Sequence, residues 1–260
     1  MNIKLRNTIL AVATAVAVVC IVAGSFINIG INFGGSFTAT TGRNMNGKTS
    51  GDEGHHIYEI DGSVKNIDVD LALGELTVEK GDKNQVEIYC DVPKLMPEYE
   101  FKNDTVYITS PDAKINNPNS GVDIKVTVTL TDDIENLKAQ LALGDLNFEN
   151  ISASKKVDVT LNLGDLDVKN CTTEEMKVQA DLGEVKITDC DATSSDIACS
   201  MGDVKVELPS SVEDYNLDLN VSMGELKVNG ENRGTSVKTS GAAKNLKIDA
   251  SMGDIQVSGK

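Results

Sequence analysis

Apolar and polar residues alternate along most of this chain, and one recurring motif punctuates the alternation. Leu73-Gly74-Glu75-Leu76, Leu143-Gly144-Asp145-Leu146, Leu163-Gly164-Asp165-Leu166, Leu182-Gly183-Glu184-Val185, Met201-Gly202-Asp203-Val204, Met223-Gly224-Glu225-Leu226 and Met252-Gly253-Asp254-Ile255 share the order apolar, Gly, acid, apolar. Successive motif glycines lie 70, 20, 19, 19, 22 and 29 residues apart, so the central unit is about 19–20 residues. Positions seven, five, three and one before the Gly are nearly all apolar, as in Leu137, Ala139, Leu141 and Leu143, or Leu217, Leu219, Val221 and Met223. Period two over eight residues predicts a strand with one buried face, here including the residue just before the Gly. After the Gly the apolar positions move to two and four later, as in Leu166 and Val168, Val204 and Val206, Leu226 and Val228, Ile255 and Val257. The in/out phase slips by one residue across the Gly-acid pair, which predicts a corner with the Gly at φ > 0.

A second corner falls seven residues after the Gly, where Ile151, Cys171, Cys190 and Pro209 align behind Asn150, Asn170, Asp189 and Leu208. Asn and Asp suit such turns. A unit of long strand, corner, short strand and corner cannot bury its apolar face alone, whereas stacked units share one core. The expected fold is therefore all-β, a single-stranded β-solenoid of about 19–20-residue coils, roughly nine in number at about 4.8 Å spacing. A sandwich or barrel of hairpins is the alternative, although it calls for two-residue turns at every strand end. Residues 80–132 interrupt the repeat with strand-like runs and four of the five prolines, and read as an irregular cap or flap over one end. At the other end, Ser258-Gly259-Lys260 is too short to cover the last motif, so the expectation there is an open edge and weak self-association through the C-terminal coil.

Ahead of the repeats, Asn7 to Gly42 carries no charge and Ile9 to Ile27 is almost unbroken apolar sequence, close to the length of a membrane-crossing helix. Lys4 and Arg6 flank it, and the positive-inside rule leaves the N-terminus cytoplasmic and the body extracytoplasmic. A cleaved signal peptide ending near Val22-Ala23-Gly24 is the competing reading. Residues 1–29 are thus assigned to a cytoplasmic tip and membrane anchor, 30–56 to a flexible Gly/Asn/Ser-rich linker, and 57–260 to the solenoid.

Composition narrows the chemistry. The formal net charge is −16, aromatics are 4% and Trp is absent, the wrong balance for phosphate backbones or stacked bases. The acids after the motif glycines (Glu75, Asp145, Asp165, Glu184, Asp203, Glu225, Asp254) should stack into one column, which would hold weak Ca²⁺ sites or serve only as solvated corners, partly offset by Lys186, Lys205 and Lys227. The structural reading is preferred, so no metal ligand is assigned. Outward positions two and four before each Gly are small or polar and should tile a flat face able to hold a polymer such as a glycan, or merely kept polar for solubility. Cys171 and Cys190 belong on adjacent coils, where a disulfide and a ladder of buried thiols are both geometrically allowed. His55-His56, placed in the linker, has no partner ligand at metal spacing. No catalytic set and no cofactor loop is found.

These repeats, (Leu/Met)-Gly-(Asp/Glu)-(Leu/Val/Ile)-x-Val behind one N-terminal membrane segment, resemble the bacterial β-strand-repeat proteins called putative adhesins, a domain family of unknown function, over roughly residues 60–257. The resemblance implies no catalytic residues. The reading is a non-enzymatic, membrane-anchored surface protein for adhesion or cell-envelope interaction, with a cell-envelope polymer or surface protein as partner and no nucleic acid. An envelope-stress or signalling accessory and a polysaccharide-acting β-helix enzyme are the alternatives.

Overall fold

The structure of the protein is a computed structural model and describes residues 49–50, 54–111 and 121–260. Apart from two single turns of 3-10 helix, Pro93–Leu95 and Val212–Asp214, every regular element among them is a strand. In chain order these are β1 (Thr49–Ser50), β2 (His55–Glu59), β3 (Asn66–Leu71), β4 (Glu75–Lys80), β5 (Gln85–Cys90), β6 (Glu98–Lys102), β7 (Thr105–Thr109), β8 (Ile124–Leu130), β9 (Ile134–Leu143), β10 (Leu146–Glu149) and β11 (Ser152–Leu163). They continue as β12 (Leu166–Lys169), β13 (Thr172–Leu182), β14 (Val185–Thr188), β15 (Asp191–Met201), β16 (Val204–Glu207), β17 (Tyr215–Met223), β18 (Leu226–Val228), β19 (Glu231–Asn232), β20 (Ser236–Lys238), β21 (Lys244–Met252) and β22 (Ile255–Ser258).

Two mixed sheets form, in the orders β1-β2-β5-β8-β4-β10-β12-β14-β16-β22-β18-β19 and β20-β17-β21-β15-β13-β11-β9-β3-β7-β6. From β8 to β18 in the first sheet, and from β7 to β17 in the second, every pairing is parallel. Each circuit of the chain places one strand in each sheet, so the described body is solenoid-like, with eight tiers where the sequence predicted about nine. Parallel ladders exclude the hairpin sandwich. In the β11–β12 tier Val157, Val159, Leu161, Leu166 and Val168 are each no more than 2% exposed, and burying such side chains stabilises by about 1.5–3 kcal/mol apiece.

Stacking order departs from chain order at both ends. After β3–β4 the chain runs outward through β5, β6, β7 and β8, then returns so that β9–β10 stacks on the opposite side of β3–β4. The described part of residues 80–132 lies at this end of the stack: β7 and β8 pair in parallel with β3 and β4 as a regular tier, and β5 and β6 add to it antiparallel. At the far end, β21 pairs with both β15 and β17, and β22 with both β16 and β18. The last motif thus lies inside the stack, and the open edge expected there is replaced by the β17–β18 tier, fenced by short antiparallel β20 and β19. Both departures coincide with the long glycine spacings.

A charge pattern accompanies this rearrangement. On the outer face of the second sheet, Asp68, Lys138, Asp158, Lys177, Asp196, Lys247, Asp218 and Lys238 are neighbours in register, alternating in sign throughout. Lys138 pairs with Asp68 at 3.1 Å, Lys247 with Asp196 at 3.1 Å and Lys238 with Asp218 at 2.8 Å. Stacked in chain order, Asp196 would face Asp218, a destabilising like-charge pair; inserting β21 puts Lys247 between them.

The first end is closed by aromatic rings. His56 and Tyr58 on β2 lie opposite the buried Ile88 and Val86. Tyr58 stacks on Tyr99 of β6 with ring centroids 4.4 Å apart and an interplanar angle of 24°. Burial pushes the Tyr99 phenol up to about 12. Both histidines therefore belong to a strand and not to the linker; His55 Nε2 lies 2.6 Å from Glu87 Oε1. The anchor assigned to residues 1–29, and most of the linker, lie outside the described residues. Among the described residues no helix is long and apolar enough to cross a membrane.

Candidate functional site

The conspicuous surface feature is the corner generated by the repeated glycine. Every motif Gly has φ between +130° and +152°, as the phase slip predicted, and a close approach adds a stronger constraint. A Cβ on Gly183 would overlap the carbonyl oxygen of Gly164, and the same overlap recurs along Gly144, Gly164, Gly202, Gly253 and Gly224. Backbone hydrogen bonds hold these tiers together, Gly164 N–H donating to Leu182 O at 3.0 Å and Gly183 N–H to Met201 O at 3.0 Å. The glycines thus form a ladder on which no side chain fits.

Immediately before each glycine, the structure corrects the sequence. Positions seven, five and three back are buried, Ser195 excepted, but the residue one back is not: Leu143 and Leu163 are each 43% exposed, Met223 40% and Leu182 36%. Leu73, Met201 and Met252 are half-buried in the same column. Register places Leu143, Leu163, Leu182, Met201, Met252 and Met223 side by side, with Leu73 next to Leu143 across the Gly74 N–H to Leu143 O bond of 3.0 Å. In every motif but the first this residue is the last of its strand and still pairs in register, yet its side chain faces outward at the corner. Seven large apolar residues line one edge, within reach of a partner.

Across the glycine ladder runs the acidic column, in the order Glu75, Asp145, Asp165, Glu184, Asp203, Asp254, Glu225. The aspartates have structural work to do. Asp145 Oδ1 accepts the Asp165 N–H at 2.9 Å, Asp165 Oδ1 the Glu184 N–H at 2.7 Å, Asp203 Oδ1 the Asp254 N–H at 2.9 Å, and Asp254 Oδ1 the Glu225 N–H at 2.8 Å. The glutamates turn to cations or amides: Glu184 meets Lys205 at 2.9 Å, Glu225 meets Lys227 at 2.7 Å, and Glu75 accepts from Asn147 at 3.3 Å. Lys186 makes no such pair among the described residues. Among the described residues no group of three or more His, Cys, Asp or Glu is arranged to hold a metal ion.

At the second corner Asn150, Asn170 and Asp189 adopt φ of 58°, 51° and 53°, the left-handed region that Asn and Asp tolerate. Behind them Cys171 and Cys190 are buried free thiols, with the Cys171 N–H reaching Cys190 Sγ at 3.4 Å. The contact with the Cys171 thiol, together with burial, raises the Cys190 thiol well above its usual range, and burial pushes Cys199 up to about 11. All three thiols lie in the core. The polar tiling also holds, since Asp70, Gln140, Thr160, Gln179, Ala198, Asp249 and Asn220 occupy one column of the second sheet.

The family model for the Toastrack DUF4097 domain matches residues 64–260. The chain belongs to this Toastrack family. Solved structures similar to it include a putative cell adhesion protein from Clostridium sporogenes, at 18% identity and TM-score 0.49, covering 82% of this chain and 100% of that one. Another is a putative adhesin from Bacteroides fragilis, at 14% identity and TM-score 0.41, covering 78% and 95%. A putative lipid binding protein from Parabacteroides distasonis is similar at 12% identity and TM-score 0.29, covering 81% and 98%. Among curated proteins none matches. In this Toastrack chain, the seven motifs are the rungs of the two-column ridge.

Proposed function

We propose that the protein is a non-enzymatic, single-pass surface protein whose Toastrack body, outside the cell, docks an envelope or surface partner along the Gly-corner ridge. The carrying observation is the in-register apolar column Leu73, Leu143, Leu163, Leu182, Met201, Met252 and Met223, kept beside an acidic column. Apolar residues repeated at an exposed position contribute less to folding than the core does, and a contiguous apolar stripe with a charged rim is the usual form of a docking surface. Its chemistry suits a partner that offers an apolar row beside basic groups. The charge distribution and the apolar segment Ile9 to Ile27 support the envelope location.

The test replaces Leu143, Leu163 and Leu182 together by Ser in the full chain and measures adhesion of cells displaying it to purified envelopes. Adhesion should fall while the protein remains folded and displayed; unchanged adhesion at equal display overturns the ridge as the docking site. Protease shaving of intact cells checks the location, since survival of the body until lysis would place it inside.

A further inference from the structure

Along the exposed apolar column the residue type changes once. Four neighbouring tiers carry leucine, at Leu73, Leu143, Leu163 and Leu182, and the next three carry methionine, in the order Met201, Met252, Met223. Leucine and methionine have similar volumes and replace one another at small cost, so an apolar docking ridge does not call for the change. What methionine adds is a thioether sulfur on a flexible stem. Elsewhere among the described residues Met96 packs against the core and Met176 is buried within it, so these three form the one methionine cluster there.

The backbone sets how the three sulfurs are spaced. Met252 pairs in register with Met201 on one side and with Met223 on the other. The Gly202 N–H donates to Met252 O at 2.9 Å and the Gly253 N–H to Met223 O at 3.0 Å, which holds that register up to the corner. Neighbouring strands lie about 4.8 Å apart, so each outer sulfur is within reach of that of Met252, whereas Met201 and Met223 are two tiers from one another. The exchange of tiers decides which residue is central. Stacked in chain order, the middle place would belong to Met223. Met223 is 40% exposed and the other two are half-buried, so an ion from solvent has access to the row.

Soft sulfur ligands select monovalent copper and its chemical relatives, whereas hard cations take oxygen. Thioethers are uncharged, so a monovalent ion bound by them keeps its charge. Across the glycine ladder, Asp203, Asp254 and Glu225 stand in the same three tiers. Asp203 and Asp254 each spend one oxygen on the backbone N–H of the next tier, and a row of carboxylates on a chain of net charge −16 raises the local concentration of cations. The carboxylates attract and the sulfurs discriminate.

We propose that Met201, Met252 and Met223 form a surface site for a soft monovalent metal ion, Cu(I) or Ag(I), with Met252 as the central ligand. The site lies on the docking ridge without depending on it, because leucine at all three positions removes the sulfurs and keeps the ridge apolar.

The test uses the full chain in detergent micelles with isotope-labelled methionine methyl groups, followed by NMR. Ag(I) is the probe, since it takes the same ligands as Cu(I) without changing oxidation state. Single leucine variants assign the resonances. The expected result is that the methyl resonances of Met201, Met252 and Met223 move together and saturate at a single equivalent, while those of Met96 and Met176 stay in place and Ca²⁺ moves none. Met252→Leu should remove the saturable shift, whereas Met201→Leu and Met223→Leu should each leave an adjacent pair that binds more weakly. Because the buried thiols are competing ligands, Ag(I) uptake that shifts none of the three methyl groups assigns the metal to cysteine and overturns the proposal. A loss on Met252→Leu no larger than that on Met223→Leu overturns it too, as do the same shifts with Ca²⁺. The variant with leucine at all three positions should lose the ridge metal yet keep adhesion, so failure of the metal site and failure of the docking ridge are read separately.

Discussion

The two ends of the stack solve the same problem with different materials. At one end the chain spends about fifty residues on an extra tier and a stack of rings, and four of the five tyrosines, Tyr58, Tyr89, Tyr99 and Tyr107, lie there. At the other, a polar segment with Gly230, Gly234 and Gly241 at positive φ packs one apolar side chain, Val237, against the core. Large rings cover an exposed core end in few contacts, each burying a large area. Small polar residues satisfy the edge backbone, Val221 N–H donating to Thr235 O and Thr239 N–H to Leu217 O. The first end is thus finished with packed rings, and the second with a thin polar cover.

Substitutions placed at the interior and the two ends sharpen this contrast. Gly183→Val, in the middle, should have the largest effect: the side chain meets the Gly164 carbonyl, the tiers have to part, and a loss above about 4 kcal/mol in chemical denaturation is expected, the exceptional class of single changes. At the first end, Tyr99→Ala should cost about 2–3 kcal/mol by removing half of a stacked, half-buried pair. Gly241→Val, in the second cover, has no heavy atom within 4 Å of its Cβ, so only its φ of +110° resists, at about 1–3 kcal/mol. A midpoint for Gly241→Val as low as that for Gly183→Val would remove the difference between interior and end.

Smaller effects follow at the rearranged tier and its cover. Lys247→Asp sets three aspartates in a row across β15, β21 and β17, with an expected loss of about 1 kcal/mol that diminishes in high salt. Equal losses at low and high salt would mean that charge does not select the order of tiers. Val237→Ala should cost less than about 1 kcal/mol, because the methyl groups removed already border empty space. A larger loss than for Tyr99→Ala would make the second end the better packed.

Much of this architecture can be read from the repeat, because a phase slip across an invariant glycine has few geometric solutions. The corners, the parallel stack and the buried positions at Leu137, Ala139 and Leu141 follow from it. The outward turn at Leu143, Leu163 and Leu182 does not, since alternation reports only polarity and an apolar residue at a corner looks like one in a strand. One mark was available: this position holds only Leu and Met, never the β-branched residues favoured in buried strands. Tier exchange near β21 also left a trace, because the charges six before each Gly alternate except at Asp196 and Asp218, and exchanging the last two repeats restores the order.

The exchange of tiers has a consequence in time. During synthesis the N-terminal part of a chain emerges first, and the repeats from β9 to β16 can add one by one, each onto a neighbour about twenty residues back. The β17–β18 segment emerges before β21–β22 but has to bond to it, so its inner edge has no partner until that later segment arrives. Two ladders then close together when β21–β22 enters between β15–β16 and β17–β18. Assembly is therefore zipper-like through the middle and ends on a wedging step, which makes the last repeat the keystone of its end of the stack.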